Sequence, residues 1–355
     1  MKREIDMAMV IQGSCCLQLV LSYFRAKQTL KALLSGVVLV CCISTVNGML
    51  PAGDAESGAL TDASEKQQKR PLVVSSITPL TLIAKAVLGG ELDVKQLLPD
   101  QEIPHHYSMR VSDRRLFEEA DLLLWIGPQL EGFMASLAAT RKPSAVITAA
   151  ELKDIVWPDA TDRGRDYHLW LNPENAVLIA RALVTNVAAI EGVNHTLLAQ
   201  RLAIFESEMD VLKQKISKRL LPHNNNKFIV DHDAFRHFTE TFLLRNSGFL
   251  RDSNGLEIGV REKSLLMAQQ GVRCVVAEPE SRIARMQHLA NALGANLVVI
   301  DPLGAQLAAQ LVPKPLATPS TLLVQPEKDG LARQPSGYAQ LIQGIAESFI
   351  SCLSD

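Results

Sequence analysis

The chain has 355 residues, a formal net charge of −2, and 47% hydrophobic and 21% charged residues. That length suits two domains of about 100–200 residues, each with its own core. Near-neutral charge without a basic tract argues against nucleic acid as a partner, and with 5% aromatic residues few side chains are available to stack on bases or sugars.

The N-terminus has the three parts of a secretory signal peptide. Basic residues precede the apolar run 32–44, and small residues follow it up to Gly48. This run is shorter than the roughly 20 residues that a membrane-spanning helix needs. We therefore expect residues 1–48 to be a leader cleaved near Gly48, with an uncleaved anchor as the alternative. The long stretch 1–24 also allows a start codon further downstream.

Cysteine usage agrees with export. Four of the six cysteines lie in the leader, so the mature chain keeps only Cys274 and Cys352. Two such cysteines normally join in an oxidising compartment, and the bridge would tie the C-terminal helix to the second half of the chain. Two buried free thiols are the alternative.

The first half of the mature chain alternates strands and helices. Residues 49–70 are polar and without periodicity, which predicts a flexible lead-in. Beyond them we predict three strands and two helices: strands 71–77, 94–98 and 122–125, and helices 80–87 and 112–120. Such alternation predicts a parallel sheet covered by helices.

The second half repeats this alternation, with strands 228–230, 274–277 and 296–300 and a helix over 283–293. Between the halves an apolar stripe at spacing 3–4 predicts a helix over about 196–220. We therefore predict an α/β fold of two similar lobes with mostly parallel sheets, 71–193 and 223–355, joined by one long spine helix within 194–222. An ordinary surface helix is the alternative for the middle segment.

Three histidines occupy similar places in this pattern. His105, His168 and His232 follow one another at intervals of 63 and 64 residues, each at a predicted strand end or in the loop beyond it. Ligands gather at the carboxyl ends of strands in open α/β sheets. Three neutral imidazoles suit Zn²⁺ and leave a fourth position open. Position alone leaves each histidine open to being an ordinary polar residue.

Six ordered motifs resemble those of the ZnuA family, the zinc-uptake solute-binding receptors of ABC importers. The motifs are residues 97–108 (LLPDQEIPHHYS), 113–128 (DRRLFEEADLLLWIGP), 166–173 (DYHLWLNP), 232–235 (HDAF), 277–279 (AEP) and 301–304 (DPLG). The resemblance runs from about Pro71 to Cys352, and the fold it implies agrees with two lobes and a spine.

The resemblance implies that His105, His168 and His232 are the metal ligands. Asp301 matches a carboxylate that serves as a fourth ligand in some relatives. Manganese-binding relatives are expected to have a carboxylate in place of His232, and three nitrogen donors favour Zn²⁺ over Mn²⁺. Cys274 and Cys352 match a disulfide of some zinc-binding members.

Two departures from the family pattern bear on the site. Pro104 stands where some zinc-binding relatives have a glutamate, so the fourth ligand is open among Asp301, nearby Glu102 and water. Residues 142–165 have no histidine, although zinc-binding members often carry a histidine-rich loop there. His106 is interpreted as a neighbour of the site, and Asp166 and Asp233 either orient imidazoles or cap turns.

We therefore expect a monomeric periplasmic receptor, not an enzyme, that captures Zn²⁺ as cargo and delivers it to a membrane permease paired with an ATPase. The chain lacks a GxxxxGK[ST] segment, which argues against its being that ATPase. The alternatives are a manganese or iron receptor of the same fold, a secreted zinc hydrolase, or a surface adhesin.

Overall fold

The computed structural model describes residues 70–100, 102–159, 164–305 and 334–354. The predicted leader 1–48 and the lead-in up to residue 69 lie outside the described residues. Within the described ranges, no helix is both long enough and apolar enough to cross a membrane.

The first lobe is a four-stranded parallel sheet in the order β2-β1-β3-β4. Its strands are β1 Leu72–Ser75, β2 Asp93–Gln96, β3 Leu122–Trp125 and β4 Val146–Thr148. Its helices are α1 Thr78–Leu88, α2 Val111–Glu119, the short α3 Ala135–Ala138 and α4 Pro173–Val187. Strands β1 and β3 are buried along their whole length, as expected for central strands covered on both faces.

A 26-residue helix, α5 His195–Leu220, follows the first lobe. The Asn194 side chain caps it by accepting a hydrogen bond from the backbone N–H of Leu197. At 1.5 Å per residue it is about 39 Å long. A buried stripe runs along it from Leu198 through Phe205 to Leu220. The long helix predicted between the lobes is therefore present.

The second lobe repeats the topology of the first, with four parallel strands in the order β6-β5-β7-β8. Its strands are β5 Lys227–His232, β6 Arg245–Arg251, β7 Val272–Ala277 and β8 Asn296–Val299. Its helices are α6 Arg236–Thr241, α7 Val260–Met267 and α8 Ile283–Leu293. The predicted fold class of two similar parallel-sheet lobes is confirmed.

The last helix, α9 Gly337–Leu353, packs against both lobes. It contacts α1 of the first lobe, β7 and β8 of the second, and α5 between them. A disulfide joins Cys274 on β7 to Cys352 on α9, as predicted. One hydrophobic core runs from Val73 through Phe205 to Phe349, so the two sheets share a common apolar layer.

Candidate metal centre

The three predicted histidines come together where the two lobes face each other. His105 lies in the loop between β2 and α2, and His168 precedes the 3₁₀ turn Leu169–Leu171. His232 is the last residue of β5. The first two therefore belong to the first lobe and the third to the second, so the cluster requires both lobes.

The imidazole rings are close enough to share one ion. Their centroids lie 5.5 Å apart for His105 and His168, 5.5 Å for His105 and His232, and 5.0 Å for His168 and His232. One ring nitrogen of each lies within 4.8 Å of the other two. Ligand atoms on one tetrahedral zinc ion, about 2.1 Å from the metal, are about 3.4 Å apart. The limit of 4.8 Å on the nitrogen separations is compatible with that spacing.

Asp166 orients the His168 ring. Its Oδ1 lies 2.6 Å from Nδ1 of His168 and accepts a hydrogen bond of 2.9 Å from the backbone N–H of the same residue. Both side chains are buried. Burial alone would raise the pKa of Asp166, but the neighbouring His168 outweighs it and holds that pKa below its usual value. Because Nδ1 donates to a carboxylate, Nε2 is left with its lone pair for a metal.

Glu278 does the same for His232. Its Oε1 lies 3.1 Å from Nδ1 of His232, and both residues are buried. Burial disfavours the charged imidazole, but the Glu278 carboxylate outweighs that effect and raises the pKa of His232 above 6.5. The same interaction holds the pKa of Glu278 below its usual value, although burial opposes it. Nε2 of His232 lies 3.4 Å from the carbonyl oxygen of Ser253.

His105 has no carboxylate partner of this kind among the described residues. Its Nε2 is buried and without a hydrogen-bond partner in the described part of the chain. Burial, followed by the nearby His168 and His232, lowers the pKa of His105 to about 3. A neutral imidazole with an unsatisfied buried nitrogen is costly unless a ligand occupies it, which fits a metal site.

Hydrogen bonds on the C-terminal side of each histidine fix the loop of His105 and the segment of His168. After His105, Asp113 of α2 accepts hydrogen bonds from the Tyr107 hydroxyl and the backbone N–H of Arg110. After His168, Asn172 caps α4 by accepting from the backbone N–H of Glu174. These local contacts hold both histidines relative to the helices that follow them.

The second lobe also holds the His168 segment. His237 Nε2 donates to the carbonyl oxygen of Asp166 at 2.9 Å, and Trp170 Nε1 donates to that of Pro302 at 2.9 Å. The Arg236 guanidinium donates to the carbonyl oxygen of Asp159 at 3.0 Å. His168 is therefore placed by contacts from both lobes.

The histidines open onto a cavity of about 40 Å³. That is room for an ion and a water molecule, since one water needs about 10–15 Å³. Three carboxylates also line it: Glu278, Glu280 and Asp301. Glu280 belongs to a second close group with His232 and Glu278. Loss of solvation, followed by the negative charge of Glu278, raises the pKa of Glu280 to about 8.

The candidate fourth ligands named from sequence differ in their surroundings. Asp301 lines the cavity, and its oxygens accept hydrogen bonds from the backbone N–H groups of residues 303, 304 and 305 at 2.9, 3.0 and 2.7 Å. Its role as a ligand stays a prediction. Glu102 pairs with Arg110 at 2.7 Å on the surface, and it is not among the residues that line the cavity.

Two other predicted neighbours lie beside the site. His106 is exposed, with its ring centroid 6.4 Å from that of His105. Asp233 pairs with Arg236 at 3.0 Å, and burial raises its pKa to about 7. Of the two aspartates considered from sequence, Asp166 contacts a site imidazole and Asp233 is tied to an arginine.

Sequence reasoning missed Glu278 and Glu280 as members of the site. Both follow Ala277, the last residue of β7, and so lie at the same carboxyl edge of the sheet as His232. That position was the available signal, because the carboxyl ends of parallel strands converge there.

Comparisons with known proteins identify the family and the fold. The family model described as "Zinc-uptake complex component A periplasmic" matches residues 73–312. The high-affinity zinc uptake system protein ZnuA of Yersinia pestis is 25% identical over an alignment of 315 residues, and the match covers 79% of this chain and 91% of that protein.

Two solved structures share the fold. The periplasmic zinc-binding protein TroA of Treponema pallidum has a TM-score of 0.65 at 17% identity, over 81% of this chain and 100% of that one. A manganese-bound periplasmic metal-binding protein of Candidatus Liberibacter asiaticus has a TM-score of 0.63 at 14% identity, over 80% and 100%. Because the family model matches more than half of its length, this chain belongs to the ZnuA family of periplasmic zinc-uptake components.

Proposed function

We propose that this protein is the periplasmic receptor of a zinc ABC importer. It binds one Zn²⁺ as cargo through His105, His168 and His232 and delivers the ion to a membrane permease paired with an ATPase. It acts by binding and release as a monomer and not as an enzyme. A water molecule or a carboxylate completes the coordination, and Asp301 is the carboxylate that the sequence indicates.

The convergence of three imidazole nitrogens within 4.8 Å is the observation on which this rests. Asp166 and Glu278 support the ligand tautomer of two of the rings, and His105 presents a buried nitrogen without a partner. Three nitrogen donors favour Zn²⁺ over the harder Mn²⁺. Ligands drawn from two lobes suit capture and release, because separating the lobes breaks the set.

A manganese receptor is the second candidate. Glu278, Glu280 and Asp301 place hard oxygen donors at the same cavity, and oxygen donors suit Mn²⁺. The fold does not decide between the two ions, since structures with this fold are described with zinc and with manganese. The donor set nearest the centre of the cluster is nitrogen, which favours zinc.

The test is metal content and competitive titration of the purified protein, stripped and then offered equimolar Zn²⁺ and Mn²⁺. We expect one tightly bound zinc, lost in His105→Ala, His168→Ala and His232→Ala. His106→Ala is the matched control, because His106 is an exposed histidine next to the first ligand. Preference for manganese would change the cargo, and absence of tight metal binding would refute the receptor.

Delivery needs a cellular test. In a bacterium whose zinc receptor gene is deleted, the wild-type protein should restore growth in zinc-depleted medium, whereas His168→Ala should not. If His168→Ala restored growth at the same protein level, growth would not depend on zinc binding at this site, and the proposed delivery role would be refuted.

A further inference from the structure

We infer that Glu280 supplies the fourth ligand to the metal held by His105, His168 and His232. This inference rests on the proposed function, because it requires a metal ion bound by the three histidines. It concerns the one coordination position that three imidazoles leave open.

Glu280 lies at the cavity and close to the histidine cluster. It lines the same cavity of about 40 Å³ as the three histidines. One of its carboxylate oxygens lies within 4.8 Å of a ring nitrogen of His232 and of a carboxylate oxygen of Glu278. His232 is therefore the residue that the three-histidine group and the group of Glu280 share.

The other two carboxylates of the cavity are already committed. Glu278 contacts Nδ1 of His232 with both oxygens, at 3.1 and 3.4 Å. Asp301 accepts three backbone hydrogen bonds, which fix its carboxylate in the turn that follows β8. Either group would have to share or give up these hydrogen bonds to reach a metal.

Glu280 is held more loosely. Its carboxyl group hydrogen-bonds to Glu278 and to its own backbone N–H, and Glu280 is exposed while Glu278 and His232 are buried. It therefore lies on the solvent side of the cavity. The hydrogen bond between Glu280 and Glu278 requires a proton on one of the two carboxyl groups. A cation that reaches the histidines from solvent meets Glu280 and can take the place of that proton.

A structure of the zinc-loaded full chain tests the inference directly. We expect an oxygen of Glu280 at about 2.0–2.2 Å from the zinc, the usual distance for a carboxylate ligand. Water or Asp301 at the fourth position would overturn the inference. The histidine site and the proposed function would remain in that case, whereas no zinc at the cluster would remove both.

Solution measurements give an independent answer. Glu280→Gln should weaken zinc binding by about tenfold or more and alter the visible d–d absorption of the cobalt-substituted protein. Glu347→Gln is the control and should leave that absorption unchanged, since Glu347 pairs with Arg219 on the surface, away from the cavity. An unchanged cobalt spectrum in Glu280→Gln would refute coordination, because a residue that only supports His232 does not alter the donor set.

Discussion

Asp166 offers the sharpest test of how the site is tuned. Its Oδ1 accepts two hydrogen bonds from His168, one from the ring and one from the backbone, and it is fully buried. Asp166→Asn keeps the size and shape of the side chain and removes the charge. The amide can also donate to Nδ1 of His168, which favours the tautomer that carries its proton on Nε2 and blocks the metal.

The size of the effect follows from the contact. Hydrogen bonds to charged groups contribute about 1.5–3 kcal/mol, and the ring contact of 2.6 Å between buried groups is of this kind. Loss of carboxylate partners of metal-bound histidines typically weakens metal affinity by about 10- to 100-fold. Since tenfold corresponds to about 1.4 kcal/mol, the two figures agree. We expect the dissociation constant for zinc to rise by that factor in Asp166→Asn.

The assay is competitive titration against a chelator of known affinity, at a pH where the wild-type protein is saturated. Asp210→Asn is the control, because Asp210 is an exposed aspartate on α5, a helix that carries none of the three histidines. Wild-type affinity in Asp166→Asn, together with lost binding in His168→Ala, would refute the argument that Asp166 acts through His168.

Three further predictions concern protons and the disulfide. Because Glu278 raises the pKa of His232 above 6.5, a proton competes with zinc near neutrality, and the zinc dissociation constant should fall as pH rises from about 6 to about 8. Titrations across that range check this, and a constant value would contradict it. Burial raises the pKa of Glu131 from 4.5 to about 7, so the folded chain keeps a proton that the unfolded chain loses. The contribution of this proton to the free energy of unfolding is fully present below about pH 4.5 and is lost as pH rises through 7. Between about pH 5 and about pH 8, the free energy of unfolding of Glu131→Gln, measured in urea, should therefore rise relative to that of the wild type by up to about 3 kcal/mol. A difference that does not change with pH would disprove the assignment. Replacing Cys274 and Cys352 together by serine removes a disulfide between residues 78 positions apart, and the free energy of unfolding should drop by about 4–5 kcal/mol. A urea midpoint equal to that of the wild type would contradict this.

The strands predicted from sequence include the four central strands, β1, β3, β5 and β7, whose apolar runs are mostly buried. The edge strands β2 and β8 were also predicted, because each predicted segment, 94–98 and 296–300, contains at least three apolar residues. β4 and β6 were not predicted, and both are edge strands. β4 has three residues, and β6 (RNSGFLR) is mostly half-buried and polar, so neither has the continuous apolar run that identifies a central strand.

The long helix was predicted close to its observed bounds. Its apolar stripe at spacing 3–4 is a local property, and the residues of that stripe are the ones that pack against other helices. The cysteine pair predicted that α9 is tied to the second half of the chain, but its contacts with α1 of the first lobe were beyond such reasoning. Local periodicity shows that a helix has a buried face but not which elements cover it.

Within the site, the sequence by itself determined which residues were available: three histidines at a strand end or in the loops beyond strands, and an Asp-x-His pair in which Asp166 could reach His168. The tertiary structure decided which carboxylates join them. Glu278 meets His232 and Glu280 lines the cavity because adjacent parallel strands, β5 and β7, end side by side. Contacts between residues some 45 positions apart arise only from strand pairing and lobe packing, and no local pattern encodes them.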